Sequence, residues 1–215
     1  MGALRDMFDK HGSDKGSKKH KYDRCYEEFF EPVRNDEINL LEIGCFKGDS
    51  TSAFQEYFPN GNIYTIDIFE RHSAESIDAL KLDRVHWLKH DTMHAGLPHA
   101  IRKAWGSDIK FDFIIDDGAH FPIANRLTFE NCFDFLKENG SYFIEDVWML
   151  GGEAKSNQVV NNNWVKRKCN LYDVNEHYRL MDTIRERGDV DHYDFTVTTV
   201  RGSGGYPDGY ILRVS

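Results

Sequence analysis

Short apolar runs alternate with amphipathic stretches through the middle of this chain. "NLLEIG" (39–44), "NIYTIDI" (62–68), "RVHWLKHD" (84–91), "IKFDFIIDD" (109–117) and "SYFIEDV" (141–147) are β-rich, and most end in an acid. Between them, "STSAFQEYF" (50–58), "HAGLPHAIRKAW" (94–105) and "PIANRLTFENCFDFL" (122–136) carry helical spacing, with Pro98 in a first turn and "ENG" as a helix stop and turn. The repeated strand–helix order predicts a parallel sheet covered by helices on both faces. The C-terminal pattern differs. A helix over 170–188 precedes two strands, 191–200 and 208–215, joined by the Gly-rich "RGSGGYP", which predicts an antiparallel hairpin. The Asn-rich stretch 151–164 reads as a mobile loop.

Composition narrows the class. The 215 residues suit one domain with a substantial core, and 40% hydrophobic and 13% aromatic content exclude disorder. No apolar run is long enough to span a bilayer, and the N-terminus has no signal-peptide pattern. Cys25, Cys45, Cys132 and Cys169 form no pair motif, so reduced thiols and a cytoplasmic location are expected. A net charge of −9 disfavours a nucleic-acid surface. The basic run "KGSKKHK" (15–21) is either a solvated loop or an anion site.

The loop "LLEIGCFKGDS" (40–50) places Gly44 and Gly48 in a G-x-x-x-G spacing, with Glu42 just ahead. A nicotinamide oxidoreductase would have G-x-G-x-x-G, and position 46 is Phe. Asp67 follows Gly44 at the spacing of a ribose-binding acid, and Asp91 ends the next strand. Taken one at a time, these acids are ordinary turn residues. In order, Glu42, Gly44, Asp67 and Asp91 point to a nucleoside-containing cofactor.

This order resembles the class I S-adenosylmethionine-dependent methyltransferases. The resemblance covers roughly residues 38–215 and implies a Rossmann-like, doubly wound, seven-stranded sheet, mostly parallel, with a C-terminal antiparallel β-hairpin. Residues 1–37 would then be a cap or lid. The family roles put the methionine moiety on Gly44, the ribose on Asp67 and the adenine near Asp91, with Glu42 among the cofactor residues.

Strands four and five are neighbours in such a sheet, so Asp116, Asp117, Glu145 and Asp146 meet at its C-terminal edge. Carboxylates crowded in this way repel unless a cation neutralises them, and oxygen ligands suit Mg²⁺ or another hard divalent ion. His120 lies on the same rim and is a candidate base for a substrate hydroxyl. Because strand neighbours point to opposite faces, Asp116 is expected to face the cofactor or backbone and Asp117 the metal, and Glu145 and Asp146 can both be ligands only if the strand ends there. The bland alternative has one acid of each pair in a cap or a salt bridge.

"IDDGAH" and the later "ENGSYFIEDV" are similar to the metal-dependent sugar O-methyltransferases of macrolide and related natural-product pathways. That resemblance implies Asp117, Glu145 and Asp146 as Mg²⁺ ligands and His120 as base. The upstream "HGSDKGSKKHKYDRCYEEFF" (11–30) resembles the segment before the core in these enzymes, and implies that Ser13, Lys15, His20 and Tyr22 close over the cofactor. The expected partner is a small-molecule acceptor bearing a sugar hydroxyl, with homo-oligomer formation open and neither nucleic acid nor membrane involved. The competing readings are a catechol-type O-methyltransferase, a non-catalytic S-adenosylmethionine-binding protein and a metal-dependent hydroxylase-like relative of the same sheet. His72, His86, His90, His94 and His99 are not expected to form a second metal site. Trp148 is a candidate to flank the acceptor, Trp87 and Trp105 read as core or cap, and Tyr206 reads as exposed.

Overall fold

The structure is a computed structural model that describes residues 2–147, 174–195 and 209–215. In chain order the elements are α1 (Ala3–His11), α2 (Asp23–Phe30), β1 (Asn39–Ile43), α3 (Asp49–Tyr57), β2 (Asn62–Asp67), β3 (Val85–Lys89), α4 (Leu97–Trp105), β4 (Phe111–Asp116), α5 (Pro122–Cys132), β5 (Leu136–Ile144), α6 (Val174–Arg185), β6 (Val190–Asp194) and β7 (Tyr210–Val214). Seven strands form one sheet in the order β3-β2-β1-β4-β5-β7-β6. The first five are parallel, and β7 runs antiparallel to both β5 and β6. This is the expected doubly wound sheet, with the C-terminal hairpin strand inserted beside β5. The expected loop 151–164, together with Trp148, Cys169 and Tyr206, lies outside the described residues.

The central strands are buried on both faces, so alternate residues feed two cores. Leu40, Phe113, Ile115 and Phe143 point to one side, where Leu4, Phe8, Tyr26, Phe30 and Phe54 cover them. Leu41, Ile43, Ile114, Tyr142 and Ile144 point to the other, against Leu97, Ile101, Phe129, Leu180 and Ile184. The helices α1, α2 and α3 therefore layer one face, and α4, α5 and α6 the other. The first two helices share their core with the sheet.

Two local expectations change. The fifth strand begins at Leu136, ahead of the turn expected at "ENG". Phe111 pairs with Leu136 and Phe113 with Ser141, so the extra residues bulge out while strand pairing continues. Trp87 is not core: it stands on the edge strand β3, 42% exposed. Trp105 does pack, against Tyr64 and Phe111. Cys25, Cys45 and Cys132 are buried free thiols. Among the described residues, no helix is long and apolar enough to cross a membrane.

Candidate active site

Period-2 alternation decides where each acid goes once its strand ends. Glu42 shares the face of Leu40 and meets α3, where Ser50 Oγ and Thr51 Oγ1 each donate to its carboxylate at 2.5 Å. It is fully buried, and burial pushes its pKa up to about 7. Glu42 thus ties β1 to the first turn of α3, beneath the glycine loop. Asp116 shares the face of Ile114 and accepts from Asn125 Nδ2 on α5 (3.1 Å) and from the backbone N–H of Gly118 (3.3 Å). Burial lifts it to about 6. Neither Glu42 nor Asp116 lines the cleft; of the two directions expected for Asp116, it takes the backbone one.

The cleft lies at the C-terminal edge of the sheet and has a volume of about 790 Å³, within the range of small-ligand sites. Gly44, Asp67, Asp91, Asp117, His120 and Asp146 all line it. Gly44 has φ +93°, and a Cβ there would collide with the Asp117 carbonyl oxygen, so only glycine lets the loop pass this close. Asp67 organises the loop: its Oδ2 accepts from the N–H groups of Cys45 (2.8 Å) and Phe46 (3.1 Å), and its Oδ1 from Phe69 N–H (2.7 Å). Asp91 caps its own turn through Met93 N–H (2.9 Å) while still facing the cleft. Both acids thus serve their own turns and also line the cleft.

In the same cleft, Asp117, His120 and Asp146 offer ligand atoms within 4.8 Å of one another. His120 Nε2 lies 3.5 Å from Asp117 Oδ1 and 3.9 Å from Asp146 Oδ2. His120 and Asp146 both adopt left-handed backbone, with φ +56° and +53°. Such conformations are uncommon outside glycine and gather at functional sites. At Asp146 the left-handed turn follows directly on the end of β5. It brings this carboxylate to the cleft while Glu145, its neighbour, keeps the face of Phe143. Strand alternation thus still separates the pair: Asp146 reaches the cleft and Glu145 does not.

Glu145 is almost wholly buried. Its Oε2 accepts from Lys15 Nζ at 2.7 Å, and its Oε1 from the Tyr26 hydroxyl. Lys15 Nζ also donates to Asp117 Oδ2. Burial alone would lower the Lys15 pKa, but Asp117 and Glu145 outweigh it and raise it well above the ordinary lysine value. Burial raises the pKa of both Glu145 and Asp117. The head of the basic run is therefore no solvated loop: Lys15 is 1% exposed, turned under the acidic edge. Tyr22, also fully buried, donates its hydroxyl to Asp146 Oδ1 at 2.5 Å. His20 stacks on Tyr22 at 4.9 Å and is buried away from the cleft lining, whereas Ser13 lines it.

Sequence reasoning missed Tyr26, a helix residue indistinguishable by pattern from its aromatic neighbours. It also missed Lys15 as the partner of buried acids. The signal for Lys15 was the surplus of carboxylates on one sheet face, which needs a cation. The histidines form no second cluster: Asp117, His120 and Asp146 are the only such metal-capable group among the described residues. The rings of His90 and His94 are 5.8 Å apart, but Nδ1 of each faces a local backbone group.

Comparison with known proteins agrees with this architecture. Residues 41–147 match the family model of a methyltransferase domain. The chain is 30% identical over 154 residues to the 8-demethyl-8-(2-methoxy-alpha-L-rhamnosyl)-tetracenomycin-C 3'-O-methyltransferase of Streptomyces olivaceus, an alignment spanning 68% of this chain and 37% of that protein. It is 28% identical over 185 residues to the mycinamicin VI 2''-O-methyltransferase of Micromonospora griseorubida, spanning 80% and 44%. The chain thus spans less than half the length of these two relatives. Among solved structures, the MycE methyltransferase of the mycinamycin biosynthetic pathway, in complex with Mg, SAH and mycinamycin VI, superposes with a TM-score of 0.67 at 22% identity. That match covers all of this chain and 54% of the other. At that identity the likeness concerns the fold.

Proposed function

Since residues 41–147 of this chain are a methyltransferase domain, we propose that the protein transfers a methyl group from S-adenosylmethionine to a hydroxyl of a sugar or glycosylated small molecule, with the help of a divalent cation. The observation that carries this reading is the convergence of Asp117, His120 and Asp146 in the cleft that Gly44 and Asp67 also line. The tetracenomycin and mycinamicin relatives are named for methylation of sugar-bearing natural products, which supports the acceptor class.

The residues present fit both groups. Gly44, Asp67 and Asp91 line the cleft, which supports a nucleoside cofactor there, with Asp67 proposed for the ribose and Asp91 for the adenine. Carboxylate oxygens suit a hard divalent ion such as Mg²⁺. His120 Nδ1 is buried without a hydrogen-bond partner among the described residues, a polar atom left over by the protein itself. Asp117, Glu145 and Asp146 are the proposed ligands; the first and last face the cleft, and Glu145 lies behind them. When bound, such an ion lowers the pKa of a coordinated hydroxyl and holds neighbouring oxygens in place. His120 takes the hydroxyl proton at Nε2, the ring nitrogen nearer both aspartates. The cleft walls align the oxygen with the methyl donor, and positioning is the protein's main contribution.

The test is a calorimetric titration of S-adenosylhomocysteine and then Mg²⁺ into EDTA-treated protein, followed by methyl-transfer assays on sugar-bearing acceptors. Binding of both, and transfer to a sugar hydroxyl, is the expected result. Absence of nucleoside binding would overturn the reading.

A further inference from the structure

Buried lysines are rare, because an ammonium loses its hydration and must find acids to replace it. Lys15 is reached from the loop after α1, is 1% exposed, and pairs with Asp117 and Glu145 from two adjacent strands. The backbone that carries it is fixed, since Asp23 N–H bonds to Lys15 O (3.2 Å) and Lys15 N–H to Ser13 Oγ (3.3 Å). Tyr22 and Tyr26 follow on the same segment and donate to Asp146 and Glu145. One stretch of chain thus supplies a cation and two hydroxyls to the back of the acidic edge, while His120 and the cleft occupy its front.

We propose that Lys15 is a resident counter-cation of the metal centre, a positioning residue that holds the acidic edge assembled before metal arrives and lowers the edge's affinity for that metal. The inference rests on the metal reading above. With Asp117, Glu145 and Asp146 ionised, the ammonium leaves two negative charges, which a divalent ion brings to zero. Without Lys15 three charges remain at the same edge. The empty edge then repels itself, and attracts a divalent ion more strongly. A lysine that served only to build the fold would act in the opposite sense, because its loss would loosen the ligands and weaken metal binding.

The experiment uses the full chain and Mn²⁺ as probe, with free ion followed by electron paramagnetic resonance and unfolding by circular dichroism. Lys15→Met should unfold at a lower temperature in EDTA, regain more of that loss on Mn²⁺ addition than wild type gains, and bind Mn²⁺ about tenfold tighter. Lys15→Arg keeps the charge and should lie closer to wild type on both measures. Weaker or unchanged Mn²⁺ affinity in Lys15→Met overturns the proposal. If Lys15→Met does not fold in EDTA, Lys15→Met/Glu145→Gln removes the cation together with one acid it neutralises, and should recover folding; failure to do so also overturns it. Wild type that binds no Mn²⁺, with or without S-adenosylhomocysteine, overturns the metal reading and this inference together. Tighter or weaker binding in Lys15→Met, with wild type binding normally, bears on Lys15 alone.

Discussion

Single residues set the geometry at the sheet edge, and their chemistry makes separable predictions. Gly44 is the point where the cofactor loop and the acidic edge touch. Gly44→Ala places a side chain in left-handed backbone against the Asp117 carbonyl, and should cost about 2 kcal/mol or more while weakening S-adenosylhomocysteine binding. Unchanged thermal unfolding and affinity would show that the loop has another way past. Glu42 makes a pH prediction. Its folded pKa of about 7 stands above the ordinary 4.5. Between those values the folded protein binds more protons than the unfolded chain, so this group's contribution falls as pH rises and is fully lost above about 7. Glu42→Gln lacks that loss. Its melting temperature relative to wild type should climb between pH 5 and pH 8, and a flat difference would show that Glu42 ionises normally. His120→Ala should keep S-adenosylhomocysteine affinity and lose turnover by roughly 10²-fold or more on a confirmed acceptor, the usual scale for a general base. Full activity in that variant would remove His120 from proton transfer.

At the scale of elements, much was legible because the sheet is buried on both sides. Apolar runs ended by acids mark parallel strands whose C-termini line the cleft, and the strand–helix alternation implies helices on both faces. What was not legible came from contacts between elements. The turn residues at "ENG" are absorbed into β5 as a bulge, since pairing with β4 on either side outweighs their local preference. The left-handed turn at Asp146 has no signature in "IEDV", yet it decides which carboxylate faces the cleft. Aromatic packing likewise belongs to the assembled layers. Phe30 of α2 is fully buried and meets Phe54 and Phe58 from the α3 region, Phe113 of β4 and Phe143 of β5. Phe30→Ala should therefore cost about 3–5 kcal/mol, read from denaturant unfolding, because a ring held from four sides leaves a cavity that cannot readily collapse. A loss below about 1 kcal/mol would mean that α2 is only loosely seated.

Across the whole molecule, the question is whether the first 37 residues are a lid on a finished domain or part of the domain. Sequence pattern separates them from the strand–helix repeat, and nothing in their own spacing says what they cover. Shared burial favours the second. Leu4, Phe8, Tyr22, Tyr26 and Phe30 are all fully buried in the core that also holds Phe54, Phe113 and Phe143. Arg5 pairs with Asp23 at 2.8 Å, Leu4 N–H bonds to Glu27 Oε1 at 3.0 Å, and Lys10 reaches Glu56 on α3 at 2.6 Å. The exposed ion pairs contribute little, but the buried rings bring several kcal/mol each and share that face of the sheet with α3. A detachable lid would leave residues 38–215 folded and still able to bind S-adenosylhomocysteine. A shared core predicts that the 38–215 fragment loses cooperative unfolding, exposes the faces of Phe113 and Phe143, and binds no nucleoside. Circular dichroism melting with S-adenosylhomocysteine titration separates the two. A fragment that melts cooperatively and binds would return residues 1–37 to the role of a lid. Failure to fold would mean that cleft, acidic edge and N-terminal helices are one cooperative unit, in which Lys15, Tyr22 and Tyr26 reach the acids only with the segment that completes the core.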